Sequence, residues 1–201
     1  MNFNEEKLMK LMEDVCINDD INISDIPCVD LYMDQVTSFF EDKLGTLKRD
    51  DEDKVLTKTM INNYAKAKIL LPVKNKKYTK ENMILLTLIY HLKQVLSIND
   101  IGVLFTPLLK EIEEKEDGKE YAHKIYSEFL NMKKGQEIQF QENFQQKINL
   151  IEESNLGLDK EREDIGEMML TVLLLINQAN LQKRMAEKII DSFFKEAKEE
   201  K

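Results

Sequence analysis

Cysteine, proline and glycine are all scarce in this chain, and each scarcity excludes something. Cys16 and Cys28 are too few for a disulfide scaffold and too far apart for a Cys-x-x-Cys site, which fits a reducing, cytoplasmic compartment. Three prolines and six glycines leave few breaks in 201 residues. With abundant Leu, Ile, Lys, Glu and Met, they predict an all-α chain. No long hydrophobic run occurs. The most apolar stretch, Met168–Ile176, is about half of what a membrane span needs, and the N-terminus has no signal-peptide core.

Catalytic signatures are missing too. His91 and His123 stand apart from each other and from the cysteines, with no zinc-ligand spacing. No Gly-rich phosphate loop, nucleophile elbow or His-Glu-x-x-His helix is present. The acids of "LDKEREDIGE" (158–167) alternate with bases, as on an exposed helix. The expectation is a non-enzyme with no catalytic residue, no metal and no cofactor.

Apolar periodicity then lays out the helices. Residues 4–15 place Leu8, Leu11, Met12 and Val15 at helical spacing. Pro27 suits a first helical position, ahead of a face formed by Val29, Tyr32, Met33, Val36, Phe39, Phe40 and Leu44. Thr57 caps a helix to about Lys68 that Pro72 stops, and a short basic loop or two-stranded wing follows. Met83 to Val95 mark the next helix, and Ser97 caps a short one. Thr106-Pro107 starts a further helix over 107–116, with others at 119–133 and 138–153 separated by Gly118 and Gly135. A long helix over about 159–198 ends the chain.

Positive charge is concentrated in one window. The chain carries a net charge of −9, yet residues 54–95 hold nine lysines and one acid, Glu81, leaving −17 elsewhere. Such segregation creates a field, and phosphate is its natural complement. On the 57–68 helix, Met60, Ile61, Tyr64, Ala67 and Leu71 fall on the core side. Lys58, Thr59, Asn62, Asn63 and Lys66 fall on the other. Lys58, Thr59 and Lys66 can donate to phosphate, and Asn62 and Asn63 carry amides of the kind that pair with adenine in a major groove. An ordinary solvated face, with its acids elsewhere in the fold, is the competing reading.

"NNYAKAKILLP" followed by "YTKENMILLTLIYHLKQVLSINDIGVLF" resembles the DNA-binding domain of MerR-type transcription regulators. The match falls on Tyr64, Ile69, Leu70, Tyr78, Leu86, Ile89, Leu92, Lys93, Ser97, Ile98, Ile101 and Leu104. Lys68 stands where the family's turn Gly is expected. About a dozen residues, rather than a tight turn, separate the 57–68 helix from the one before it. The "IPCVDLYMDQVTSFF" stretch, joined to this block, is also similar to a bacterial domain family of unknown function. The resemblance implies that the 57–68 helix enters the major groove while a basic wing grips the backbone. It carries those roles onto Lys58, Asn62, Asn63, Lys66, Lys76, Lys77 and Tyr78, with Lys74 beside them in the wing.

The organisation expected is an N-terminal helix and connection (1–24), a winged helix-turn-helix-like module (25–106) and a helical bundle (107–201). Met168–Ile176, apolar around the whole helix, is expected to be buried on all sides. Ile165, Met168, Val172 and Ile176 form a seam that Leu181, Met185, Ile189 and Phe193 continue after a shift. Met132, Met168, Met169 and Met185 are candidates for a plastic effector pocket. The function expected is a homodimeric regulator of transcription that binds double-stranded DNA, with a small-molecule or protein effector left open. The alternative is a non-enzymatic interaction module that keeps the fold without binding DNA.

Overall fold

A computed structural model describes residues 4–15, 20–50, 52–154 and 156–195. Among them are seven α-helices and two two-residue strands: α1 (Glu5–Val15), β1 (Leu31–Tyr32), α2 (Met33–Leu44), α3 (Lys58–Lys66), β2 (Lys77–Tyr78), α4 (Lys80–Leu92), α5 (Ile98–Glu114), α6 (Gly118–Glu152) and α7 (Lys160–Ile189). The chain is mostly helical, as its composition requires. It divides into two compact units, one of residues 19–130 with 186–201, the other of residues 1–18 with 131–185.

The first unit is built around α4. Met83, Ile84, Leu85, Leu86 and Ile89 are each at most 1% exposed, so this helix is apolar on every side and must be surrounded. Val36, Phe40 and Leu44 of α2, Ile61 and Tyr64 of α3, and Ile101, Val103 and Phe105 of α5 close over it. Tyr126 of α6 is fully buried and donates its hydroxyl to the Ile21 carbonyl at 2.5 Å. Burial raises the pKa of that hydroxyl.

Two proline readings are corrected. Residues 26–30 form a bend, not a helix start, and β1 precedes α2, so Val29 and Tyr32 are exposed rather than on the core face. Pro107 lies inside α5, where it removes one amide donor without ending the helix. Thr106 does not cap a new helix. It donates its hydroxyl back to the Gly102 carbonyl at 2.8 Å. Gly135 does not break α6 either, since an exposed glycine costs a helix only about 1 kcal/mol. Gly118 does separate α5 from α6, for a steric reason. A Cβ there would lie 1.9 Å from the Glu111 carbonyl oxygen.

The second unit has a small core in which Met12 of α1 packs with Phe144 and Ile148 of α6, and Leu175 of α7 packs against it. Here the burial expected of α7 is overturned. Its buried residues are polar: Asp164, Glu167 and Thr171. Met169, Val172, Leu173 and Ile176 are instead 56–60% exposed. The helix turns carboxylates inward and its apolar stripe outward, the reverse of an ordinary amphipathic helix. Among the described residues, no helix is long and apolar enough to cross a membrane.

Candidate nucleic-acid interface

The basic surface starts from the way α3 is anchored. Val55 and Leu56 are buried just before it, and the Val55 carbonyl accepts a hydrogen bond from Lys93 Nζ at 2.7 Å. Burial pushes the Lys93 ammonium below its ordinary pKa, and the Tyr90 ring lies 5.1 Å from it. Thr57 then accepts from the Met60 amide at 3.1 Å and caps the helix. With Ile61 and Tyr64 locked in the core, the periodicity of 3.6 forces Lys58, Thr59, Asn62, Asn63 and Lys66 outward, and all five are exposed. The five predicted positions therefore share one solvent-facing side of α3.

At the other end, Lys68 adopts a left-handed conformation, φ 57°, which reverses the chain. Ile69 and Leu70 re-enter the core, and Asn82 Oδ1 accepts from the Leu71 amide at 3.0 Å. Residues 74–77 form a two-residue hairpin turn. Asn75 and Lys76 are both left-handed, φ 52° and 60°, and the Lys77 amide donates to the Lys74 carbonyl at 2.9 Å. Two positive φ values in succession match the type I′ turn, where Gly is the usual second residue. β2 leaves this turn and pairs antiparallel with β1, Leu31 opposite Tyr78 and Tyr32 opposite Lys77.

This pairing brings α2 beside the basic loop, which the sequence did not reveal. Lys77 Nζ sits 5.1 Å from the Tyr32 ring, and Asp34 in the first turn of α2 forms an ion pair with Lys58. Both partners of that pair are exposed, so the contact is weak and open to competition. Tyr32 was missed because only a register of two strands, each two residues long, places it there, and Asp34 because only the packing of α2 against α3 brings it to Lys58. Lys66, Lys74 and Lys76 are exposed and, among the described residues, have no carboxylate within 4.0 Å. Lys68 joins them on the surface.

Tyr78 is a correction. It is 4% exposed, and burial raises its hydroxyl pKa, so its ring belongs to the core and not to the outer face. A residue at the closing end of a hairpin points to alternate sides of the sheet with its neighbour, and here Lys77 takes the outer side.

The remaining chemistry-bearing residues lie elsewhere. Cys28 is a free, exposed thiol, and Cys16 lies outside the described residues. His123 Nε2 is 3.5 Å from the buried Glu81 carboxylate, whereas His91 stands between the Tyr90 and Phe129 rings. Among the described residues no group of three His, Cys, Asp or Glu side chains is placed to hold a metal ion.

No curated protein and no solved structure matches this chain. A protein-family model does match it over residues 21–129, nearly coincident with the 19–130 segment that forms most of the first compact unit. More than half of the sequence, including every residue of the basic surface, is thus covered, and the chain belongs to the family described as Domain of unknown function (DUF1836).

Proposed function

We propose that this protein is a non-catalytic, homodimeric regulator that binds duplex DNA through the outer face of α3 and the 74–77 turn. The observation that carries this reading is the open cluster of Lys66, Lys68, Lys74 and Lys76 beside the exposed Asn62 and Asn63. Lysines in this arrangement can follow a phosphate backbone, and the amides can reach base edges. Two further features support it. Lys68 is left-handed at the position where the MerR-type pattern has its turn glycine, and the hairpin turn follows α3 as a wing would. The winged helix-turn-helix arrangement and the cytoplasmic location belong to this proposal.

The second copy is proposed for the outward stripe of α7. Ile165, Met169, Val172, Leu173 and Ile176 share one side of the helix and are 41–60% exposed, a contiguous apolar patch of the kind that marks an interaction surface. Outside the buried Asp164 and Glu167, the start of α7 carries Asp159, Glu161 and Glu163 against Lys160 and Arg162, a net −1, while its end carries Lys183, Arg184 and Lys188 against Glu187, a net +2. Antiparallel pairing of two α7 helices would join opposite charges at both ends. The same stripe is the one feature that favours the alternative, an interaction module without DNA.

Fluorescence anisotropy with labelled duplexes tests the reading. Lys76→Glu should weaken binding to every duplex, whatever its sequence, and flatten the salt dependence. Asn62→Ala should leave non-specific affinity nearly intact and remove roughly 1–3 kcal/mol of discrimination at one base pair of a selected site. Equal binding of wild type and Lys76→Glu at low salt would remove the wing from the account. Failure of the wild type to bind any duplex would leave the interaction module.

A further inference from the structure

A cleft of about 440 Å³ lies in the first unit, walled by α4, α5, α6 and the π-helical turn at Ile190–Phe194. It shares no lining residue with the basic surface. Leu92, Leu104, Leu108, Ile125 and Phe194 make its wall apolar, and His91, Glu111 and Tyr121 bring the polar groups. The His91 and Phe129 rings, both lining the cleft, lie 6.1 Å apart, so one end of it is aromatic. The turn bearing Phe194 is held by an i to i+5 bond, from the Lys195 amide to the Ile190 carbonyl at 3.2 Å, a geometry common at functional sites.

Size and charge together define the occupant. The volume falls within the roughly 300–1,000 Å³ of small-molecule sites and is too small for a helix. Glu111 Oε2 is already paired with Lys115 Nζ at 2.8 Å. The pair balances the charge at the rim and the rest of the wall is apolar, so the site favours a neutral molecule. Residues 196–201, EAKEEK, follow Phe194 closely in the chain, but five of the six are charged and do not suit an apolar wall. We infer that this cleft binds a neutral, flat, largely apolar small molecule, an aromatic or conjugated ring system with one hydrogen-bonding group directed at Glu111 and Tyr121. Ring–ring contact with Phe129 and His91 would orient it. The inference does not depend on DNA binding.

The test titrates the full chain with N-phenyl-1-naphthylamine, a neutral aromatic probe, and with its sulfonated relative 8-anilino-1-naphthalenesulfonate. The neutral probe should bind saturably at one site per chain, about tenfold or more tighter than the sulfonate. Ile125 is 44% exposed, so Ile125→Trp fills the cleft without disturbing the core and should weaken the neutral probe at least about tenfold. Leu108→Trp should do the same from the opposite wall. Met169→Gln, on the α7 stripe, should change nothing. No saturable binding, binding untouched by Ile125→Trp, or binding lost in Met169→Gln would each overturn the assignment. Equal affinity for the sulfonate would overturn its selectivity for a neutral ligand.

Discussion

At the scale of single residues, the basic surface is governed by what each lysine already touches. Lys66, Lys74 and Lys76 have no carboxylate within reach among the described residues, whereas Lys58 is held by Asp34. Asp34 would therefore compete with phosphate for Lys58 and repel an approaching backbone. Asp34→Asn should tighten duplex binding about two- to fivefold at low salt, with the gain vanishing as salt screens it. Anisotropy at two ionic strengths would check this, and unchanged affinity at low salt would place Lys58 outside the contact. The exposure of the five α3 residues was legible from periodicity alone, because Ile61 and Tyr64 fix the helix phase. The Asp34 contact and the burial of Tyr78 were not. The first depends on the packing of α2 against α3 and the second on the β1–β2 register, long-range pairings that leave no local pattern in the sequence.

At the scale of elements, the caps were readable and the interruptions were not. Thr57 and Ser97 act as N-caps where the sequence places them, because their hydroxyls meet the third amide of the helix they begin. Pro107 and Gly135 misled because a helix held by tertiary packing tolerates one missing donor or one flexible residue. α7 misled for a different reason. An apolar run suggests burial, but Asp164, Glu167 and Thr171 occupy the buried side, with Lys160 Nζ 2.9 Å from Asp164. If the outward stripe is a self-interface, Val172→Glu should shift the chain from dimer to monomer in sedimentation at micromolar concentration. The circular dichroism spectrum should stay helical. A monomeric wild type would contradict the interface, and a Val172→Glu dimer would relocate it.

At the scale of the whole molecule, the two units should respond to acid in opposite directions. In the first, burial pushes the Glu81 carboxyl up. Hydrogen bonds from its own backbone amide and from Thr79, with the charges of Lys119 and His123, more than offset this and leave its pKa below the ordinary value. Its stabilising contribution is thus present above the unfolded pKa and lost as pH falls through the folded one. In the second, burial raises the Glu167 carboxyl, opposed by Lys160 and reinforced by Glu163 and Asp164. The ionised form is disfavoured there, so that unit gains stability as pH falls through the raised value. Hydrogen exchange between pH 7 and pH 3 should show protection falling in 80–126 and rising in 163–175. Glu81→Gln should flatten the first trend and Glu167→Gln the second.

Lys76 connects these scales, since its left-handed backbone makes it a residue that stability alone would have replaced with glycine. The most direct measurement is therefore a paired one on Lys76→Gly: unfolding free energy and duplex affinity as a function of salt. If Lys76 is kept for phosphate, the variant should be more stable by about 1 kcal/mol and bind DNA more weakly, its log–log salt slope shallower by about 0.9. A variant that gains stability while binding duplex as tightly as the wild type would contradict the proposed role of the basic surface.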